Sequence, residues 1–151
     1  MENMFARTEL LLGKTNIDKL KNSTVIVFGI GGVGSYVVEA LTRVGVGKIV
    51  IVDKDDISIS NINRQLPATQ QTIGLSKVKI MKERMLSINP EITVVAKQEF
   101  YLPGRADEFL NDDLDYIVDA VDNVTAKLDL ICCEKEKNIP IISSMGTGNK
   151  L

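Results

Sequence analysis

The run Thr24-Val-Ile-Val-Phe passes unbroken into Gly29-Ile-Gly-Gly-Val-Gly34, and a helical pattern starts where the glycines end. A short, wholly apolar run suits a strand buried on both faces. Val33, Val37, Ala40, Leu41 and Val44 then fall at helical spacing, so the segment reads strand, tight glycine turn, helix. Gly45 and Gly47 close that helix, and Lys48-Ile-Val-Ile-Val-Asp53 is a second buried strand. Its terminal acid stands 19 residues past Gly34, where a carboxylate can bond a ribose hydroxyl. Glycines let a backbone approach phosphates, and the start of the helix supplies unpaired N–H donors and the positive end of a dipole. Gly29, Gly31, Gly32, Gly34 and Asp53 are therefore candidate nucleotide ligands. The loop does not say which nucleotide.

The rest of the chain repeats the alternation. Residues 54–75 are polar and aperiodic, far longer than a usual strand-to-helix connection of roughly 2–6 residues, and loops of that kind are commonly functional. A helix opens near Ser76, with Val78, Met81, Met85 and Ile88 inward, and stops before Pro90. A third strand spans 92–96, a short helical turn 106–110, a fourth strand 116–121, a helix 124–137 and a fifth strand 140–144. Strands alternating with helices predict an α/β, Rossmann-like, doubly wound and mainly parallel sheet of about five strands with helices on both faces. Residues 1–151 read as one domain.

Composition narrows the chemistry. The 151 residues contain no histidine, which removes a Ser-His-Asp triad, a Cys-His pair, an HExxH zinc site and any imidazole base. A net charge of −2 gives no general support for nucleic-acid binding through a basic surface. Cys132 and Cys133 are neighbours and form no CxxC knuckle; on a helix they read as core and edge residues. With no signal-peptide core near the start and no apolar run of spanning length, the sequence is expected to be cytoplasmic and reduced.

The later polar residues discriminate among nucleotides. Asn61, Arg64 and Lys77 follow the acidic end of strand two, and strand four runs out into Asp119-Ala-Val-Asp122-Asn123. Ligands of an α/β sheet sit off the carboxyl ends of its strands, so these groups are expected to meet the glycine loop. A nicotinamide dehydrogenase has no obvious use for two cations and a carboxylate aimed at phosphates. A triphosphate has: cations offset the charge of departing pyrophosphate, and an aspartate can hold magnesium. Singly, Lys77 or Arg64 could be a solvated charge and Asp122 a helix cap.

Together, Gly29-Ile-Gly-Gly-Val-Gly34, Asp53, Ser60-Asn-Ile-Asn-Arg-Gln65, Gly74-x-x-Lys77 and Asp122-Asn123 resemble the ThiF/MoeB/HesA family of ATP-dependent adenylyltransferases, relatives of ubiquitin-activating enzymes. The resemblance implies ATP and Mg²⁺. It puts Gly32 against the phosphates and Asp53 on the ribose. Ser60, Asn61, Arg64, Lys77 and Asn123 then lie around the nucleotide, with Asp122 on the metal. Arg64, Lys77, Asp122 and Arg7 are the implied catalytic groups, Arg7 crossing a homodimer into the neighbouring active site. The opening residues 5–13 and the ending residues 141–151 look most like the tRNA threonylcarbamoyladenosine dehydratase branch. That branch implies tRNA as substrate and a chain continuing past residue 151, with the substrate-facing portion absent here. A sulfur-carrier adenylyltransferase is the second expectation, with a cysteine desulfurase or sulfur carrier as partner. An NAD-dependent oxidoreductase and an inert nucleotide-binding fragment are the remaining alternatives.

Overall fold

The computed structural model describes residues 3–111 and 113–145. Its centre is a parallel sheet built from β1 (Thr24–Phe28), β2 (Lys48–Val52), β3 (Thr93–Lys97), β4 (Tyr116–Asp119) and β5 (Ile141–Ser143), in the order β3-β2-β1-β4-β5. Each parallel step needs a crossover, and the helical segments provide them. These are α3 (Gly34–Val44) between β1 and β2, and α4 (Lys77–Ile88) between β2 and β3. The short α5 (Ala106–Phe109) lies between β3 and β4, and α6 (Val124–Lys137) between β4 and β5.

Alternate strand residues face opposite layers, as the two-residue strand period requires. Val25, Val27, Ile49, Ile51 and Val118 pack against Val38 of α3 and Val78, Met81 and Met85 of α4. Ile26, Phe28, Val50, Val52 and Ile117 pack against Ala106 and Phe109 of α5 and Ala126 and Leu130 of α6. The expected α/β sandwich is therefore present. Strand ends shift by a residue or two from the sequence reading: β3 runs to Lys97, one residue later, while β4 stops at Asp119 rather than Val121, because the following residues leave the ladder to line a cavity.

Two elements have no counterpart in the sequence reading, the helices α1 (Ala6–Leu12) and α2 (Lys14–Lys21). α1 buries none of its own residues, and Leu10, Leu11 and Leu12 are exposed, so its run of leucines has no amphipathic pattern to read. The segment is held by Phe5, 4% exposed, whose ring lies over Gly45 at the end of α3. Residues 146–151, which carry part of the family resemblance, lie outside the described residues, as do residues 1, 2 and 112.

Among the described residues, no helix is long and apolar enough to cross a membrane.

Candidate nucleotide-binding site

The strand order reverses between β1 and β4, and at such a point the connections leaving two neighbouring strands go to opposite faces and open a crevice. A cavity of about 630 Å³ occupies it. Its lining comes from the carboxyl ends of four strands: Gly29, Gly31 and Gly32 after β1, Asp53 to Asp55 after β2, Glu99 to Tyr101 after β3, and Ala120 to Asn123 after β4. Arg64, Gln65 and Lys77 close it from the long loop and the start of α4.

Close approach dictates two of the glycines. Gly29 has φ of 87°, and a Cβ there would sit 2.6 Å from the Ala120 carbonyl oxygen. At Gly34 a Cβ would lie 1.6 Å from the Gly29 carbonyl oxygen. Gly34 does not line the cavity: it lets α3 leave the strand tightly. The N–H groups of Gly31, Gly32 and Val33 donate to no described backbone carbonyl, and no side chain caps α3. Three donors at the start of an eleven-residue helix are thereby available to an anion.

Asp53 braces that loop. Its Oδ2 accepts from the Ile30 N–H at 2.7 Å and its Oδ1 from the Asp55 N–H at 2.8 Å. A carboxylate offers about four acceptor positions, so both oxygens keep capacity towards the cavity. Lys77 is 6% exposed, and its ammonium lies 3.7 Å from Asp55 Oδ2, beyond hydrogen-bond length. Arg64 lays its stem against Gly32 while its guanidinium donates to the Ser60 carbonyl and to Asn63 Oδ1. Asp122 lines the cavity, exposed, and its carboxylate has no hydrogen-bond or ion-pair partner among the described residues.

Other candidates stand further back. Ser60 and Asn61 belong to a 3₁₀ turn and are not in the lining; Asn61 is buried, and its Oδ1 accepts from the Ser58 N–H to hold the loop's shape. Asn123 lines the cavity and caps α6, accepting from the Ala126 N–H, so the capping role open to Asp122 belongs to its neighbour. Arg7 is exposed on α1 and does not line the cavity of its own chain. Cys132 is exposed and Cys133 partly buried at the edge of the core.

Three arrangements escaped the sequence reading. Asp119, fully buried, takes both carboxylate oxygens to Lys127 Nζ at 3.2 and 3.1 Å and also accepts from the Val121 N–H and the Ser143 hydroxyl. Lys127 continues to the Ser144 carbonyl at 2.6 Å, tying the loop that carries Asp122 to the end of β5. An acid closing a strand buried on both faces, with a lysine eight residues later on the inward face of a helix, is the signal that could have found this pair. Tyr101, on the cavity wall, donates its hydroxyl to Asp129 of α6, and burial followed by that carboxylate pushes its pKa well above the usual range. Gln65 is the third.

The model of the ThiF family matches residues 5–150. The chain is 49% identical over 150 residues to a tRNA threonylcarbamoyladenosine dehydratase of Bacillus subtilis, covering 99% of this chain and 59% of that protein. It is 31% identical over 148 residues to the sulfur carrier protein ThiS adenylyltransferase of Escherichia coli, covering 95% of this chain and 59% of that one. The crystal structure of the E. coli tRNA N6-threonylcarbamoyladenosine dehydratase in complex with ATP superposes with a TM-score of 0.94 at 35% identity, over 98% of this chain and 61% of that one. The chain thus spans about three fifths of the length of these relatives.

Proposed function

For a chain that belongs to the ThiF family, we propose an ATP-dependent activity that adenylates the carboxylate of threonylcarbamoyladenosine in tRNA and closes it into a ring. The observation that carries this reading is the gathering of Arg64, buried Lys77, Asp122 and three loop amides around one cavity beside Asp53, the amides and Asp122 having no partner among the described residues. That set suits a polyphosphate leaving group and has no evident role in hydride transfer. The similarity to named dehydratases, higher than that to the carrier adenylyltransferase, supports this choice of substrate.

The chemistry needs no imidazole. A carboxylate is already ionised at neutral pH and attacks the α-phosphorus of ATP directly, breaking the bond to pyrophosphate. The loop amides and Asp53 hold the phosphate chain and ribose in line, which is the larger part of what such a transfer requires. Lys77 and Arg64 offset the charge that grows on the departing oxygens. A nitrogen or oxygen within the same modification then attacks the acyl carbon and AMP leaves with one carboxylate oxygen. The elements of water lost from the nucleoside are accounted for as ATP becomes AMP and pyrophosphate.

Asp122 fits a magnesium ion: it is a hard oxygen donor at the cavity with no partner among the described residues, and Mg²⁺ is usually held by one or two carboxylates with phosphate oxygens and waters. Bound there, the metal would neutralise charge on the phosphate chain. Arg7, exposed and outside its own cavity, is proposed to serve the site of a second copy in a homodimer. In that place an always-charged fork would meet phosphate oxygens.

The test is pyrophosphate release. It should be stimulated by tRNA carrying threonylcarbamoyladenosine and not by tRNA lacking it. Stimulation by a sulfur-carrier protein with a C-terminal glycine, and not by modified tRNA, would establish the second reading and reject the first.

A further inference from the structure

Among the described residues, two buried side-chain polar atoms have no hydrogen-bond partner: Ser76 Oγ and Gln65 Oε1. Ser76 is not part of the cavity lining, whereas Gln65 is. Gln65 is 8% exposed, and neither end of its carboxamide bonds to a described residue. Its backbone, in contrast, is fixed. The N–H donates to the Asn61 carbonyl at 2.9 Å, its carbonyl accepts from the Ala68 N–H at 3.1 Å, and the next N–H donates to Ser35 Oγ of α3.

That anchored backbone holds the side chain against the glycine loop. A Cβ on Gly31 would stand 3.5 Å from Gln65 Nε2, just as one on Gly32 would stand 3.4 Å from the Arg64 stem. Two consecutive side chains therefore cover the two glycines whose amides point at the cavity. A buried carboxamide with an unmet end destabilises the empty protein, and an apolar residue of the same shape at this place would be more stable. The buried Oε1 is an acceptor, to which a phosphate brings no hydrogen; the other end, Nε2, lies against the glycine loop on the cavity wall with no partner among the described residues, and is the end able to donate to an arriving ligand.

We propose that Gln65 is a nucleotide-contacting residue, its carboxamide donating through Nε2 to a phosphate oxygen seated on the amides of residues 31–33. The inference rests on the ATP reading of the cavity and extends it to the last residue of the Ser60–Gln65 motif, to which the resemblance as read from the sequence assigns no role. The contact is made to the phosphate next to the ribose, because Asp53, the ribose candidate, accepts from the N–H of Ile30, the chain neighbour of Gly31. ATP and AMP share that phosphate, and adenosine lacks it.

The experiment replaces Gln65 by methionine, which keeps the length and flexibility of the side chain and removes both polar atoms. Binding of ATP, AMP and adenosine is measured by calorimetry or competition, and thermal unfolding is followed without ligand. Loss of one hydrogen bond to a charged acceptor should weaken ATP and AMP about 10-fold each. Adenosine should bind as to the parent, and the ligand-free protein should unfold at the same temperature or higher. Gln65→Leu provides a second apolar side chain should methionine pack poorly. Unchanged ATP affinity in a folded Gln65→Met protein overturns the proposal. So does a lowered unfolding temperature with equal weakening of all three ligands, which would make the carboxamide a structural group bridged by water. If the parent itself binds no ATP, the nucleotide reading fails and takes this inference with it. A parent that binds and a variant that binds equally well reject the inference alone.

Discussion

Replacing Lys77 by methionine removes a charge and keeps most of the stem that fills its place at the start of α4. The side chain is 7% exposed, and its ion-pair partner among the described residues, Asp55 Oδ2, is 3.7 Å away on a side chain that is 54% exposed. At an effective dielectric constant near 20, that attraction is about 4.5 kcal/mol, reduced further by the water around Asp55. Withdrawing an ammonium from water costs several kcal/mol in the opposite sense. The two nearly cancel, so Lys77→Met should change the stability of the ligand-free protein by no more than about 2 kcal/mol. Catalysis has no such cancellation, because the departing pyrophosphate carries more negative charge than Asp55. Loss of one electrostatic stabiliser of this kind costs about 10²–10³ in turnover, or about 2.7–4 kcal/mol. Pyrophosphate release measured against ATP concentration, beside a thermal unfolding curve, separates the two effects: kcat should fall by that factor while KM for ATP changes less. A variant with parental kcat, or one whose loss of activity matches its loss of folded protein, refutes the assignment.

Asp53→Asn should weaken ATP and AMP alike by about 1.5–3 kcal/mol, since an amide can neither accept from both the Ile30 and Asp55 N–H groups nor fully serve a ribose; calorimetric titration of the two nucleotides checks this, and a loss confined to ATP contradicts it. Glu39 of α3 pairs with Arg84 of α4 at 2.6 Å and with Arg43, and the hydrogen bond from Arg84 holds its pKa below 4.5 against an opposing effect of burial. A depressed acid stabilises the fold above its unfolded pKa and loses that contribution as pH falls through the folded value. Glu39→Gln should therefore cost about 1 kcal/mol at neutral pH for a partly exposed pair, with the difference from the parent vanishing on acidification in denaturant titrations. Mixing Arg7→Ala with Lys77→Ala subunits should restore part of the activity, because in the proposed homodimer one site of each mixed pair keeps both groups; no recovery despite demonstrated exchange places Arg7 in its own subunit or outside the reaction.

The parallel sheet was legible because its strands are buried on both faces and so read as short unbroken apolar runs. α6 was legible to the residue, since Asn123 and Asn138 bound it and its inward positions recur at helical spacing. α1 and α2 were not, because each is anchored by a single side chain, Phe5 on Gly45 for α1 and the buried Ile17 for α2, and one contact makes no local pattern. The same distinction runs through the site. Gly29, Asp53 and Lys77 are each visible at the end of an element. Whether a residue of the long loop faces the cavity depends on how residues 54–75 cross the sheet, which periodicity cannot give. So Asn61 and Ser60, prominent in the sequence, support the loop from behind, while Gln65, one place after Arg64, stands in the wall. Asp119 read as the last residue of a strand; its partnership with Lys127 needed the fold to bring the first turns of α6 over the end of β4.

The route of one oxygen atom tests the account most directly. If the cavity activates a carboxylate by adenylation, tRNA whose threonylcarbamoyl carboxylate carries heavy oxygen should yield AMP containing one labelled oxygen, with none in pyrophosphate and the ring-closed nucleoside retaining the other. Heavy oxygen in inorganic phosphate with ADP as co-product would mean attack at the terminal phosphate. AMP free of label would mean that the carboxylate never met the α-phosphorus.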